Sequence, residues 1–257
     1  MIGKFGNSIG LFKNALQGVA NRLGYHILRR DLNVSVDDAF REQLRLIGSD
    51  VSCIVEVGAA DGRDTERYAL ASPNAKVVAF EPVPKSFKAL HERAVLSPTI
   101  QAVNAAVSDS IGNEEFYIGN WVDASSLMKA NFTNTNYDAY TAPTHCINVD
   151  VVTLDSFCSE NGINNIDLLK IDAQGAELKV LTGATALLSS KAIRVIYCEV
   201  NFLEIYKSSP LFHDISLFLY MHGFGLHGLY DIVRDHQGRV LWADAIFCLC
   251  DVSPYAS

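Results

Sequence analysis

Apolar runs at 51–57, 76–81, 100–107, 166–171 and 192–200 recur along the chain, separated by stretches with helical spacing of apolar residues. Continuous apolar runs of this length, rich in Val and Ile, read as strands buried on both faces. Between them the pattern predicts a helix over 35–48, started by Ser35 with Asp37 and Asp38 in its first turn and stopped by Gly48. A helix over about 64–71 ends before Ser72-Pro73, and one over 85–94 turns Phe87 and Leu90 inward. Further helices are predicted over Ala176–Leu188 and about 211–222. Such alternation predicts a parallel, doubly wound sheet. Near the end, runs at 224–230 and 244–250 flank a turn at His236-Gln237-Gly238. That hairpin implies one antiparallel strand closing an otherwise parallel sheet.

Residues 108–154 interrupt the rhythm. A turn at 109–113 precedes a short strand, Glu115 to Ile118, and a strand over 146–154 leads to Asp155 at a helix start. The intervening 119–145 is rich in Asn, Thr, Ser, Ala and Tyr and has little apolar periodicity. Loops this long inside a domain are functional or disordered. We read it as a substrate lid, because Trp121, Tyr137, Tyr140 and His145 can stack on or hydrogen-bond a polyol; disorder is the alternative.

Composition narrows the class. The chain has 257 residues, enough for one large α/β domain, with 49% apolar and 19% charged residues. It has no apolar run long enough to span a bilayer. A net charge of −8 argues against nucleic acid as a partner. Six cysteines without a C-x-x-C pair read as buried thiols in a reducing, cytoplasmic setting rather than a zinc site. Residues 1–30 differ: Lys4, Lys13, Arg22, Arg29 and Arg30 give +5 with no acid, so −8 less +5 leaves −13 for the remainder. Their apolar positions fit an amphipathic helix. It either touches anionic lipid peripherally or, the reading we favour, packs on the domain or caps the cofactor cleft.

The chemistry concentrates at strand ends. Cys53 to Thr65, CIVEVGAADGRDT, is a strand, a glycine loop and a helix start. Its spacing is acid-x-Gly-x-x-x-Gly, with negative charge at Glu56, Asp61 and Asp64, and it lacks the glycines of a pyrophosphate cradle. This suits a cationic ligand such as S-adenosylmethionine, with a ligand amine or a loop donor expected to partner Glu56. Glu81 follows Gly58 by 23 residues at the next strand end, where an acid hydrogen-bonds ribose hydroxyls in adenosine sites. Lys170 and Asp172, then Glu199 and Asn201, end the next two core strands and would project toward the same cleft. Carboxylates and an amide there can serve as a general base or hold a divalent cation, Mg²⁺ among them. Asp172 can equally be a helix cap.

In order, EVGAADG at 56–62, AFEP at 79–82, Ser125-Ser126-Leu127, VVTLD at 151–155, KIDAQGAE at 170–177, Leu181 to Gly183 and CEVN at 198–201 resemble the FkbM-type S-adenosylmethionine-dependent methyltransferases. The resemblance covers about 51–250 and leaves 1–50 as a helical extension. It implies the Rossmann-like class I fold, a seven-stranded, mostly parallel sheet with an antiparallel last strand. It also implies O-methylation of a hydroxyl on a sugar, glycan or natural product. Carried over by motif, Glu56, Gly58, Asp61 and Gly62 match the cofactor loop and Thr65 the helix start beside the cofactor carboxylate. Glu81 matches the ribose acid, Asn104 and Ala105 the adenine pocket, and Asp172 the acid after the fourth core strand. Two positions depart from the pattern: Glu56 stands where Asp is more usual, and Gln174 where Glu is frequent. Asp172 or Glu199 is expected to take or guide the hydroxyl proton while Asn201 orients the acceptor; alternatively the three hold Mg²⁺. Two rival classes remain, a nicotinamide-dependent oxidoreductase and a non-catalytic, membrane-associated protein that kept the fold.

Overall fold

The structure, a computed structural model, describes residues 38–131 and 138–250. The N-terminal helix expected within 1–30 lies outside them.

Helix α1, Ala39–Ile47, opens the described part, capped by Asp38, whose carboxylate accepts from Arg41 N. The start expected at Ser35 is therefore displaced to Asp38, whose side chain satisfies one of the free amides of the first turn. Strand β1 (Cys53–Val57), helix α2 (Arg63–Ala71), β2 (Lys76–Phe80), α3 (Pro84–Leu96) and β3 (Ile100–Val103) then alternate, and the three strands pair in parallel. The run predicted as one strand over 100–107 is two. The chain leaves the sheet at Asn104, whose amide Nδ2 donates to the Glu81 and Pro82 carbonyls, and Ala106–Val107 (β4) joins another sheet.

That second sheet is small. Strands β5 (Gly112–Gly119) and β6 (Pro143–Val152) pair antiparallel along nearly their whole length, and β4 pairs parallel with β6. Only Glu115 to Ile118 and 146–154 were legible as strands, since β6 is exposed at most of its alternate positions and carries polar residues there. Phe116, Ile118, Val149 and Val151 form its own apolar cluster with Val83.

Helix α4 (Leu154–Glu160) returns the chain to β7 (Ile166–Ile171). The helix expected over Ala176–Leu188 is broken into α5 (Glu177–Thr182) and α6 (Thr185–Ser189). At the break the Gly183 carbonyl accepts from Asp155 N, and the Asp155 carboxylate accepts from Ala186 N and Leu187 N. Asp155 thus caps a neighbouring helix, while Thr153 caps its own. Strand β8 (Ile193–Asn201), helix α7 (Phe212–Met221) and the hairpin β9 (Phe224–Arg234) with β10 (Val240–Leu249) complete the fold.

The main sheet has the order β3-β2-β1-β7-β8-β10-β9, parallel except for β10, which runs antiparallel to both neighbours. Core strands are largely apolar because both faces are covered: β1 and β7 are buried at every position, including Glu56, Asp167 and Lys170. Three cysteines (Cys53, Cys158, Cys198) are buried as expected, but Cys146 and Cys250 are exposed. The order reverses between β1 and β7, and in such sheets ligands bind beyond the carboxyl ends of the strands at the reversal.

Candidate active site

The glycine loop after β1 turns back over the neighbouring strand. Gly58 N and Ala59 N both donate to the Phe80 carbonyl, at 3.0 and 2.9 Å. Gly58 has φ +80°, and a Cβ there would lie 1.9 Å from the Asp172 carbonyl oxygen. Only glycine fits, and the loops after β1 and β7 are locked together at the sheet's reversal point.

Beyond this junction lies a cleft open to solvent. Gly58, Ala60 and Glu81 line one side, Asp172 and Gln174 another, and Ala105 with Phe116 an apolar end. Glu81 is held rigidly: Oε2 accepts from Ala60 N at 2.9 Å and Oε1 from Val83 N at 2.8 Å. Burial pushes its carboxyl up to about 7, against the pull of those two amides and with Asp123 and Asp172 adding to the rise. The described lining contains three carboxylates, Glu81, Asp123 and Asp172, and no Lys, Arg or His. A pyrophosphate would meet no cation there. An adenosine carrying a sulfonium and an ammonium meets an apolar end, a ribose acceptor and complementary charge.

The other expected cofactor residues divide into two groups. Ala105 lines the cleft, and Asp61, paired with Arg63 at 2.8 Å, lines an adjoining recess. Glu56, Gly62, Thr65 and Asn104 support the walls from behind. Gly62 begins α2 at φ +80° against Leu90. Asn104 ties the β2 loop down through the bonds already described. Thr65 and Glu56 are fully buried, and the Glu56 carboxylate accepts from Thr65 Oγ1 at 2.5 Å and Lys170 Nζ at 2.7 Å. The partner of the strand acid is thus a lysine of β7 and not a ligand amine. Burial raises the Glu56 carboxyl, partly offset by Lys170 and Thr65. Burial works against the Lys170 charge, but Glu56, Tyr68, Asp64 and Asp172 outweigh it and hold the ammonium protonated. Lys170 also reaches Asp64 at 3.0 Å, so the pair fastens α2 to the sheet beneath the glycine loop.

A second cavity opens beside the first, and Gln174 and Asp123 line both. Its walls include Trp121, Tyr206, Trp242 and Glu199. Gln174 is the hinge of the site. It sits at φ +50°, a left-handed backbone that costs a non-glycine residue about 1–2 kcal/mol. Its Nε2 donates to Asp172 Oδ1 at 2.7 Å and, more weakly, to Glu199 Oε2 at 3.4 Å, while its Oε1 accepts from the Tyr206 hydroxyl at 2.9 Å. The two carboxylates fix the amide's orientation, because only its nitrogen can donate to them. Ser126 Oγ holds the Gln174 carbonyl at 2.6 Å. Next to it, a Cβ at Gly175 would sit 2.8 Å from the Tyr206 ring, so the glycine admits the tyrosine. Burial, then Asp172, Glu177 and Asp244, push the Glu199 carboxyl well above its ordinary range.

The geometry does not support the metal expectation. The Gln174 amide donates to both Asp172 and Glu199, and among the described residues no group of three or more His, Cys, Asp or Glu is arranged to hold an ion. Asn201 also differs from expectation. It is buried, lines neither cavity, and neither amide atom of its side chain has a hydrogen-bond partner. Asp123, Thr141, Tyr206 and Trp242 are among the lining residues that escaped the sequence reading. Tyr206 sits in an irregular loop with no spacing signal. Trp242 faces the site only because β10 runs antiparallel, opposite Asn201.

The sheet order, the glycine loop and the cleft acid define a class I S-adenosylmethionine-dependent methyltransferase. A family model described as the methyltransferase FkbM domain matches residues 56–226, and the chain belongs to that family. The 2-O-methyltransferase NoeI of Sinorhizobium fredii is 28% identical over 176 residues, covering 65% of this chain and 70% of NoeI. Methyltransferase 1 of Beauveria bassiana is 30% identical over 149 residues, covering 52% of this chain and 59% of its own length. Among solved structures, an rRNA methylase from Streptococcus thermophilus aligns with a TM-score of 0.45 and 11% identity, covering 87% of this chain and 99% of that one. No described helix is long and apolar enough to cross a membrane. The family sets the nicotinamide alternative aside.

Proposed function

We propose that the chain transfers a methyl group to a hydroxyl of a sugar, glycan or other polyhydroxylated natural product. The observation that carries this reading is Gln174, which lines both cavities and links a carboxylate of each, Asp172 and Glu199. The 2-O-methyltransferase name of a relative accords with it.

When bound, S-adenosylmethionine supplies an electrophilic methyl on a sulfonium. The residues then have two tasks, in-line positioning and removal of the hydroxyl proton. Glu81 and Ala105 orient the adenosine, and Asp172 and Gln174 form the wall between cofactor and acceptor. Glu199, whose carboxyl is raised by burial and neighbouring acids, is suited to accept the proton. Gln174 and Tyr206 hold Glu199 and Asp172 apart at fixed distance. The region 119–131 with 138–145 borders the acceptor cavity through Trp121, Asp123, Ala124 and Thr141, as a substrate lid would.

The test is Glu199→Gln, assayed by transfer of labelled methyl to a panel of hydroxylated acceptors, with S-adenosylhomocysteine affinity measured in parallel. We expect kcat to fall by about 10²–10⁴ with cofactor affinity within threefold. Wild-type turnover in that variant removes Glu199 as the base, and no hydroxyl methylation by the wild type across the panel overturns the reading.

A further inference from the structure

The acceptor cavity carries more information than its position. Its described lining holds three aromatic rings, Trp121, Tyr206 and Trp242, and two carboxylates, Asp123 and Glu199, with no Lys, Arg or His. Two described lysines are engaged elsewhere. Lys170 is paired with Glu56 and Asp64, and Lys129 lies over the Tyr117 ring. Behind Glu199 stands further negative charge: Asp244, its partner across the β8–β10 ladder, and Glu177.

We propose that this cavity selects its acceptor by charge: it takes a hydroxylated molecule bearing an ammonium group in preference to a neutral one, and rejects one bearing a carboxylate or phosphate. The inference rests on the cavity being the acceptor site, as proposed above. Three physical arguments carry it. An ammonium among aromatic faces gains cation–π attraction, strongest over tryptophan. A buried carboxyl that is costly to ionise alone becomes an ion pair when a cation enters. An anion brought here meets like charge at Asp123, makes ionisation of Glu199 costlier still, and finds no compensating cation in the described lining, and such juxtaposition works as a rejection device. The apolar ring surfaces accept the carbon–hydrogen face of a pyranose whatever its charge, so the charged substituent decides between otherwise similar acceptors.

Trp121 and Trp242 are the two tryptophans of the chain, and both line this cavity. Intrinsic fluorescence therefore reports binding here without turnover. The experiment titrates the full chain, loaded with S-adenosylhomocysteine, with three matched pyranoses: glucosamine, methyl glucoside and glucuronate. We expect the amine to bind about tenfold tighter than the neutral sugar, and the acid about tenfold weaker than it. The amine-to-acid gap should shrink at least fivefold in Glu199→Gln, a variant whose folding is confirmed by retained S-adenosylhomocysteine affinity. Glucuronate binding as tightly as glucosamine overturns the proposal, as does a gap unchanged in both Glu199→Gln and Asp123→Asn. No fluorescence response to any of the three overturns the assignment of the cavity to the acceptor. A retained charge ranking with no methyl transfer to any hydroxyl would instead remove the O-methyl reading and leave the charge-selecting subsite standing.

Discussion

Lys170→Met tests how the glycine loop is supported. The Lys170 ammonium is about one-tenth exposed and lies 2.7 Å from a Glu56 carboxylate that is wholly buried. At an effective dielectric of about 20 the attraction across that distance is about 6 kcal/mol before the cost of removing both charges from water. Methionine keeps the unbranched stem and its packing. What it removes is the charge, leaving Glu56 with the Thr65 hydroxyl alone. Breaking a buried pair from one side costs about 3–5 kcal/mol, a large part of the about 5–15 kcal/mol that holds a domain together. The expected result in urea unfolding at pH 8 is a loss of about 3–5 kcal/mol, with most of it restored in the double variant Glu56→Gln/Lys170→Met. The pH dependence has a definite sign. Without Lys170, burial raises the folded-state Glu56 pKa further above the ordinary 4.5. A carboxyl raised in the folded state stabilises the fold below its unfolded pKa, and that contribution is lost as pH climbs through the folded value. The deficit should therefore be greatest at pH 8 and shrink toward pH 5. A loss under about 1 kcal/mol at pH 8, or no recovery in the double variant, would refute the assignment of Glu56 and Lys170 as a supporting ion pair.

Three further outcomes follow from the same geometry. Gly58→Ala places a Cβ 1.9 Å from the Asp172 carbonyl at φ +80°, so it should cost at least about 2 kcal/mol in unfolding and abolish S-adenosylmethionine binding; an unchanged melting temperature would contradict the close approach. The Glu81 carboxyl titrates near 7 and the ribose hydroxyls favour its ionised form, so cofactor affinity by calorimetry should weaken about 30-fold from pH 8 to pH 5.5. Glu81→Gln should bind weakly and without that slope; an identical slope in the variant assigns the titration elsewhere. Gln174→Glu sets a third carboxylate against Asp172 and Glu199 and removes the amide donor, so turnover should fall at least about tenfold at pH 8 and recover in part at pH 5.5, where a protonated Glu can donate again. Equal turnover of variant and wild type at pH 8 would show that the amide bridge is dispensable.

Strands covered on both faces are written as mostly apolar runs, so the sheet was legible in β1, β2 and β7, and in β8 despite Arg194 and Glu199. The sequence also marked residues of the first cleft. Glu81, Gly58 and Asp172 occupy fixed offsets from strand ends, and in a doubly wound sheet a strand end is a place in the site. What the sequence could not state were pairings between residues far apart in the chain. Whether Glu56 met a ligand or Lys170, 114 residues away, depended on the register of β1 against β7. Whether Asp172 and Glu199 held a cation or an amide depended on the left-handed turn at Gln174, which no periodicity records. The second cavity is more tertiary still. Trp242 reaches it through the antiparallel insertion of β10, and Tyr206 through a loop admitted by Gly175. Local patterns fix elements because neighbouring residues share one backbone conformation. A cavity wall is assembled from distant segments, and only their packing decides which side chains meet.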